Sequence, residues 1–188
     1  MEFIHLNIEG AILFNPKVFE DNRGFFYESY NKKLINKVLG YEATFVFDCE
    51  SFSKRGTIRG LHYQLTPYEQ GKLIRVIAGS VFDVLLDLRP HSKSFGQTLV
   101  VDLSAYNQNI LWIPPGIAHG FQALEDDTVM QYKITDYYNK ESEITIKYND
   151  PNLNIDWPLT DSIILSAKDK NGISFEDYKK EYKFTHEN

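Results

Sequence analysis

Between Phe45 and Thr135 the chain alternates short runs of apolar and β-branched residues with Gly, Pro, Asn and Asp, the pattern of a sandwich or barrel. The spacing predicts strands over residues 72–77, 81–88, 97–103 and 128–134. One early segment, residues 30–39, predicts a helix outside the sheets, with Leu34, Val38 and Leu39 forming a partial apolar face. Beyond Asp150 the pattern dissolves into Pro, Asn, Asp and scattered apolar residues, then a charged tail from Glu176 onward. Loop and short helices wrapping the core are expected there. No internal repeat and no linker divides the chain, so one domain is expected.

Composition agrees with this pattern and narrows the function. Of the 188 residues, 43% are hydrophobic and 14% aromatic, mostly Phe and Tyr, which favours strands and suits a pocket that stacks on flat rings. Twenty basic and 26 acidic residues give a net charge of −6, which leaves no basic footprint for a nucleic acid polymer. The single cysteine, Cys49, has no partner for an internal disulfide and is expected to be a half-buried strand residue in a reducing compartment. No apolar run reaches the roughly 18 residues of a membrane span, and the start MEFIHLNIEG lacks the charged and hydrophobic regions of a signal peptide. The expectation is a cytoplasmic protein without a membrane partner.

The densest chemistry lies in Arg55-Gly-Thr-Ile-Arg59-Gly-Leu-His62-Tyr-Gln64, followed by Gln70-Gly-Lys72. Arg59, His62 and Lys72 supply two cations and a base able to titrate near neutral pH, a set suited to an anionic substrate. Strict strand alternation puts Arg59 and His62 on opposite faces. For both to meet one ligand, the strand must bulge or twist near Gly60; otherwise Arg59 points to solvent. In the second signal, Ile113-Pro-Pro-Gly-Ile-Ala-His119-Gly-Phe, Pro-x-Gly-x-x-His has the shape of the second cupin motif and sets His119 in the mouth of a β-barrel. Metal-binding cupins add a His-x-His pair and a Glu, where this chain has His62-Tyr63-Gln64, so no metal site is expected.

Along most of its length the chain resembles the dTDP-4-dehydrorhamnose 3,5-epimerase family. The matching stretches are Asp21-Asn-Arg23-Gly-Phe-Phe26-Tyr-Glu28, Ile58-Arg59-Gly-Leu-His62-Tyr-Gln64, Gln70-Gly-Lys72-Leu, Pro114-Pro-Gly-Ile-Ala-His119-Gly-Phe, Tyr132-Lys133, Asn149-Asp-Pro and Leu165-Ser-Ala-Lys168-Asp169. The resemblance implies an all-β double-stranded β-helix, a cupin or jelly-roll barrel with a few short peripheral helices. An N-terminal arm over about residues 1–45, a barrel core over about 46–148 and a C-terminal loop with short helices over about 149–188 would make up the single domain.

The reaction so implied removes a proton beside a ketone and returns one to the opposite face, at C3 and C5 of a nucleoside-diphosphate 4-keto-6-deoxyhexose, without a cofactor. It needs a base, an acid across the ring and a cation or donor beside the enolate oxygen. By resemblance His62 is the base, Asp169 the carboxylate that orients it, and Tyr132 the proton donor. Lys72 lies near the C4 oxygen, with Asp83 holding that lysine. The resemblance assigns Arg23, Phe26, Glu28, Arg59, His119, Tyr138, Glu143 and Lys168 to the diphosphate and the nucleobase, and Phe47, at a position where the chain departs from the family, is expected to stack there. The resemblance further implies a homodimer in which the Arg23 to Glu28 arm crosses to the neighbouring subunit.

Two departures stand out: Phe47-Asp48-Cys49 where family members usually read Gln-Asp-Asn, and Glu143-Ile-Thr-Ile where they read Glu-x-Gly-Ile. An aromatic ring thus replaces an amide at the nucleotide. The alternatives are inversion at C3 or C5 alone on a different nucleotide sugar, and a non-catalytic cupin that binds nucleotide sugars.

Overall fold

A computed structural model describes residues 1–182; the last stretch of the expected C-terminal tail, residues 183–188, lies outside the described residues. The strands are β1 (Glu2–His5), β2 (Ile12–Asn15), β3 (Phe19–Asp21), β4 (Gly24–Phe26), β5 (Phe47–Ser53), β6 (Ile58–Gln64), β7 (Lys72–Ala78), β8 (Ser80–Asp87), β9 (Thr98–Ser104), β10 (Ile110–Ile113), β11 (Ile117–Ala123), β12 (Thr128–Ile134) and β13 (Glu143–Thr145). Helices α1 (Lys32–Leu39), α2 (Ala167–Lys170) and α3 (Phe175–Tyr182) lie around them. The strand predicted over residues 128–134 coincides with β12, and those at 72–77, 81–88 and 97–103 with β7, β8 and β9 to within a residue.

The fold is all-β with peripheral helices, but the expected closed barrel is not what forms. Six strands make one sheet in the order β1-β2-β10-β7-β12-β5, five make a second in the order β13-β6-β11-β8-β9, and β3-β4 stand apart as a hairpin. Closure requires hydrogen bonds between the edges of the two sheets, and among the described residues no strand pairing joins them. The edge strands explain this. β1 is exposed along its length, β13 has three residues, and β5 carries Asp48 and Glu50 on its exposed positions; short and charged edges resist further pairing. Between the sheets lies a core with Ile74, Val76 and Met130 from the larger sheet and Val81, Leu85 and Phe121 from the smaller.

The segment expected as an arm divides. β1 and β2 belong to the larger sheet, and Ile8, Ala11, Ile12 and Phe14 are buried. Helix α1 is capped at its start by Asn31, whose side chain accepts from the Leu34 amide, and at its end by Gly40 in the left-handed conformation, strong helix-start and helix-stop chemistry respectively. Its fully buried residue is Ile35, beside the partial face of Leu34, Val38 and Leu39 read from the sequence. Part of the charged tail is helix α3, anchored by Tyr178, which is buried and donates to the Leu88 carbonyl at 3.2 Å. Among the described residues, no helix is long and apolar enough to cross a membrane.

Candidate active site

The site begins with an irregularity in β6. Against β11, His62 pairs with His119 and Arg59 with Phe121, so β6 carries one more residue than its partner over this interval. Such a bulge resets the alternation of faces. Gly60 occupies it with φ +119°, and a Cβ there would meet the His119 carbonyl oxygen at 2.6 Å and Gly120 Cα at 2.5 Å. Only glycine fits this close strand approach. The bend expected near Gly60 is therefore present, and Arg59 and His62 line one cavity of about 400 Å³ between the two sheets.

His62 places Nε2 2.6 Å from Asp169 Oδ1. Asp169 comes from α2, which Ser166 caps: the Ser166 hydroxyl accepts from the Asp169 amide at 3.1 Å and donates to Asp169 Oδ2 at 2.7 Å. Capping is thus done by Ser166, and both carboxylate oxygens of Asp169 are engaged. Burial alone would raise the Asp169 pKa, but hydrogen bonds from His62 and Ser166 hold it below the ordinary value. For His62, burial lowers the pKa, the Asp169 hydrogen bond opposes that, and the Lys168 and Lys72 cations add to the lowering; the imidazole ends below its usual range. At neutral pH it is unprotonated, with Asp169 accepting the Nε2 proton and Nδ1 left as the basic nitrogen.

Lys72 opens β7 and is buried. Burial lowers its pKa to about 8, with Asp83 and Glu143 pulling the other way. Its ammonium reaches the His62 carbonyl at 3.5 Å. Asp83, expected to hold this lysine, makes its hydrogen bond with another group: Asp83 Oδ2 lies 2.8 Å from His119 Nε2, and it acts on Lys72 through space. Both members are deeply buried, so the carboxylate takes the partner able to donate at hydrogen-bond distance. Asp83 Oδ1 finds no hydrogen-bond partner among the described residues. Across the cavity, Tyr132 of β12 approaches Ser51 Oγ at 3.1 Å, and burial raises its phenol pKa. Among the described residues, no three His, Cys, Asp or Glu side chains gather as a metal-binding set.

A base held by a carboxylate, a protonated phenol and a buried cation around one cavity are the parts of a proton-transfer site beside a ketone. The family model for dTDP-4-dehydrorhamnose 3,5-epimerase matches residues 5–177. The chain belongs to the dTDP-4-dehydrorhamnose 3,5-epimerase family. It is 49% identical over 170 residues to the dTDP-4-dehydrorhamnose 3,5-epimerase of Escherichia coli (strain K12), covering 90% of this chain and 92% of that one. Among solved structures it is similar to the epimerase of Legionella pneumophila Philadelphia 1 in complex with dTDP-4-keto-L-rhamnose, at 46% identity and TM-score 0.88 with 92% of each chain covered. It is also similar to a 3'-monoepimerase from Streptomyces bikiniensis in complex with dTDP-quinovose, at 28% identity and TM-score 0.89, covering 93% of this chain and 88% of that one. Family membership makes this chain an isomerase of nucleotide-sugar chemistry.

The remaining expected residues of this epimerase family member fall into three groups. Arg59, His119, Glu143 and Lys168 line the cavity with His62, Lys72, Tyr132 and Asp169. Glu143 accepts from Lys168 at 2.7 Å and from Tyr138 at 3.0 Å; burial would raise its carboxyl, and these bonds hold it low. Tyr138 itself is exposed at the rim, and Phe47 stacks on Tyr137 with centroids 6.1 Å apart and planes 13° from parallel. Arg23 and Phe26 sit on the separate β3-β4 hairpin, where Arg23 pairs with Asp21 at 2.6 Å, and Glu28 follows it, accepting from Asn31. The structure does not bring these three to the cavity of their own chain.

Sequence reasoning missed several wall residues. Cys49, expected half-buried, is exposed because β5 is an edge strand with its inner face toward the cavity. Gln70 also lines the cavity, and its side chain is fixed by the Asp136 carbonyl at 2.8 Å. On β5, Ser51 and Ser53 hold Tyr132 and Arg59, with Ser53 Oγ accepting from Arg59 Nε at 3.1 Å. The period of two through Phe47, Cys49, Ser51 and Ser53 was the available signal.

Proposed function

We propose that the chain inverts C3 and C5 of a dTDP-linked 4-keto-6-deoxyglucose, giving dTDP-4-dehydrorhamnose, with His62 as the base and Tyr132 as the acid. The observation that carries this assignment is the 2.6 Å His62–Asp169 pair facing the same cavity as Tyr132 and Lys72. The C4 carbonyl makes the flanking C–H bonds acidic. His62 Nδ1 takes the proton, and the imidazolium that forms is stabilised by Asp169. Lys72, still a cation at neutral pH because its pKa is about 8, neutralises the charge that gathers on the C4 oxygen. Tyr132 delivers a proton to the opposite face, and the ketone is restored. A second round at the other carbon needs the ring to shift so that its C–H reaches the same base.

Arg59 and Lys168 supply charge for the diphosphate, and the exposed Tyr138 with the stacked Phe47–Tyr137 pair supplies flat surface for the nucleobase. The hairpin fits a homodimer in which its Arg23, Phe26 and Glu28 complete the neighbouring site. Phe19, Phe25 and Phe26 on it are 54%, 60% and 70% exposed, apolar area that a second copy would cover. The protein acts in the cytoplasm as a single domain, in keeping with an exposed free thiol at Cys49.

The test is incubation with dTDP-4-keto-6-deoxyglucose in heavy water, following label at C3 and C5. Label at both carbons with inversion is expected. Absence of label from a folded, nucleotide-binding protein would instead identify a binding module, and label at C3 alone a single epimerase. His62→Ala is expected to abolish exchange at both carbons.

A further inference from the structure

Tyr132 faces a difficulty that the cavity residues considered so far do not resolve. When its O–H bond breaks to form the new C–H bond, a phenolate remains in surroundings that disfavour charge, as the upward pressure of burial on its pKa shows. Its proton must also point at the sugar rather than be spent on a neighbour. Ser51 meets both needs. The two hydroxyls stand 3.1 Å apart, with Ser51 diagonal to Tyr132 across the β5–β12 ladder, where Cys49 is the residue directly opposite. Between two hydroxyls either can donate, but the two directions are not equivalent for the reaction. If Tyr132 donates to Ser51, its proton is turned away from the cavity; if Ser51 donates, the phenolic proton is free to face the substrate.

We infer that Ser51 is a positioning residue for the proton donor, directing the Tyr132 proton into the cavity and then hydrogen-bonding the phenolate left behind. Arg59 assists from β6 of the other sheet. Its guanidinium is tied to β5 by Ser53 Oγ and by the Phe52 carbonyl at 2.8 Å, and its charge opposes the rise in the Tyr132 pKa. The accounting of protons closes in each inversion: His62 gains one from carbon and loses it to solvent, while the Tyr132 phenol gives one to carbon and, as the phenolate, regains one from solvent. Ser51 keeps its own proton throughout.

The inference rests on Tyr132 being the donor, and the experiment separates the two. Label uptake with retained configuration reports His62 alone, because the base can return an exchanged proton to the face it came from; inversion requires Tyr132. In heavy water, Ser51→Ala is expected to lose inversion about 10- to 100-fold, the worth of a hydrogen bond to a charged group, while label exchange without inversion persists within a few-fold of wild type. Ser51→Thr, which keeps the hydroxyl, is expected to restore inversion. Wild-type inversion in Ser51→Ala alongside loss in Tyr132→Phe would overturn the role of Ser51 and leave Tyr132 as donor. Parallel loss of exchange and inversion in Ser51→Ala would mark a merely structural residue and also overturn it. Full inversion by Tyr132→Phe would remove the donor assignment and the inference together.

Discussion

Replacing Asp169 with asparagine changes one atom and tests the whole proton relay. The orientation of the introduced amide is set by its surroundings. Ser166 donates to the carboxylate oxygen not used by His62, at 2.7 Å, and is itself occupied as an acceptor by the backbone amide of residue 169. Keeping the bond that Ser166 donates sets the amide oxygen toward Ser166, which turns the NH2 toward His62 Nε2. An NH2 donor needs a bare Nε2, so the imidazole proton moves to Nδ1, the nitrogen that has to accept the substrate proton. Two losses add. The imidazolium no longer has a carboxylate at 2.6 Å, a charge-assisted bond worth about 1.5–3 kcal/mol or roughly 10- to 100-fold in rate. The base must also reach its minority tautomer before it can act. Asp169→Asn is thus expected to lower deuterium exchange at C3 by well over about a hundredfold. Because Asp169 is the influence that raises the His62 pKa, the acidic limb of kcat/KM should move further below the wild-type position. The measurement is label uptake by NMR across pH 5–9, with the thermal midpoint as a control for folding. Exchange within about threefold of wild type on an unshifted pH profile would refute the reasoning.

Wild type should show a bell-shaped kcat/KM: activity falls in acid as His62 protonates, at a pH below the ordinary imidazole value, and falls in alkali near about pH 8 as Lys72 loses its proton. Lys72→Met should remove the alkaline limb and cost about a hundredfold or more in kcat/KM, without lowering the thermal midpoint, since the buried cation is opposed by its own desolvation. Gly60→Ala is expected to destabilise by about 1–3 kcal/mol from its backbone conformation and a similar amount from crowding. Denaturant titration measures this, and an unchanged midpoint would contradict the close β6–β11 approach. For the crossed hairpin, co-expressed Arg23→Ala and His62→Ala chains should recover about a quarter of wild-type sites, because only hybrid dimers hold one complete site. No recovery, with dimers demonstrated, would keep each hairpin with its own cavity.

Local pattern carried the strands that alternate cleanly, and β12 was legible to the residue. Other features depended on neighbours that sequence alone does not reveal. β1 and β2 lie in a segment whose apolar residues look isolated, and they become strands by adding onto β10. The edges remain open because β5 carries Asp48 and Glu50 outward, a property of the sheet margin rather than of any motif. In the site, the need for a bend at Gly60 followed from the spacing of Arg59 and His62. The partner of Asp83 did not: β8 and β11 place it against His119, whereas the family resemblance implied Lys72, on which Asp83 acts through space. Ser51 and Ser53 carry no motif and acquire meaning only when β5 is laid beside β12 and Arg59.

His62 is attached to the smaller sheet and Tyr132 to the larger, so the gap in which a pyranose must turn over is gauged by the filling packed between the two layers, ordinarily about 10 Å thick. Met130 and Leu85, buried in that filling, act as shims. Trimming or enlarging them would alter how far apart the giver and taker of hydrogen ions stand, and with a tolerance of about 1 Å for productive alignment, such changes would select how many stereocentres are reversed while every residue lining the cavity stays as it is.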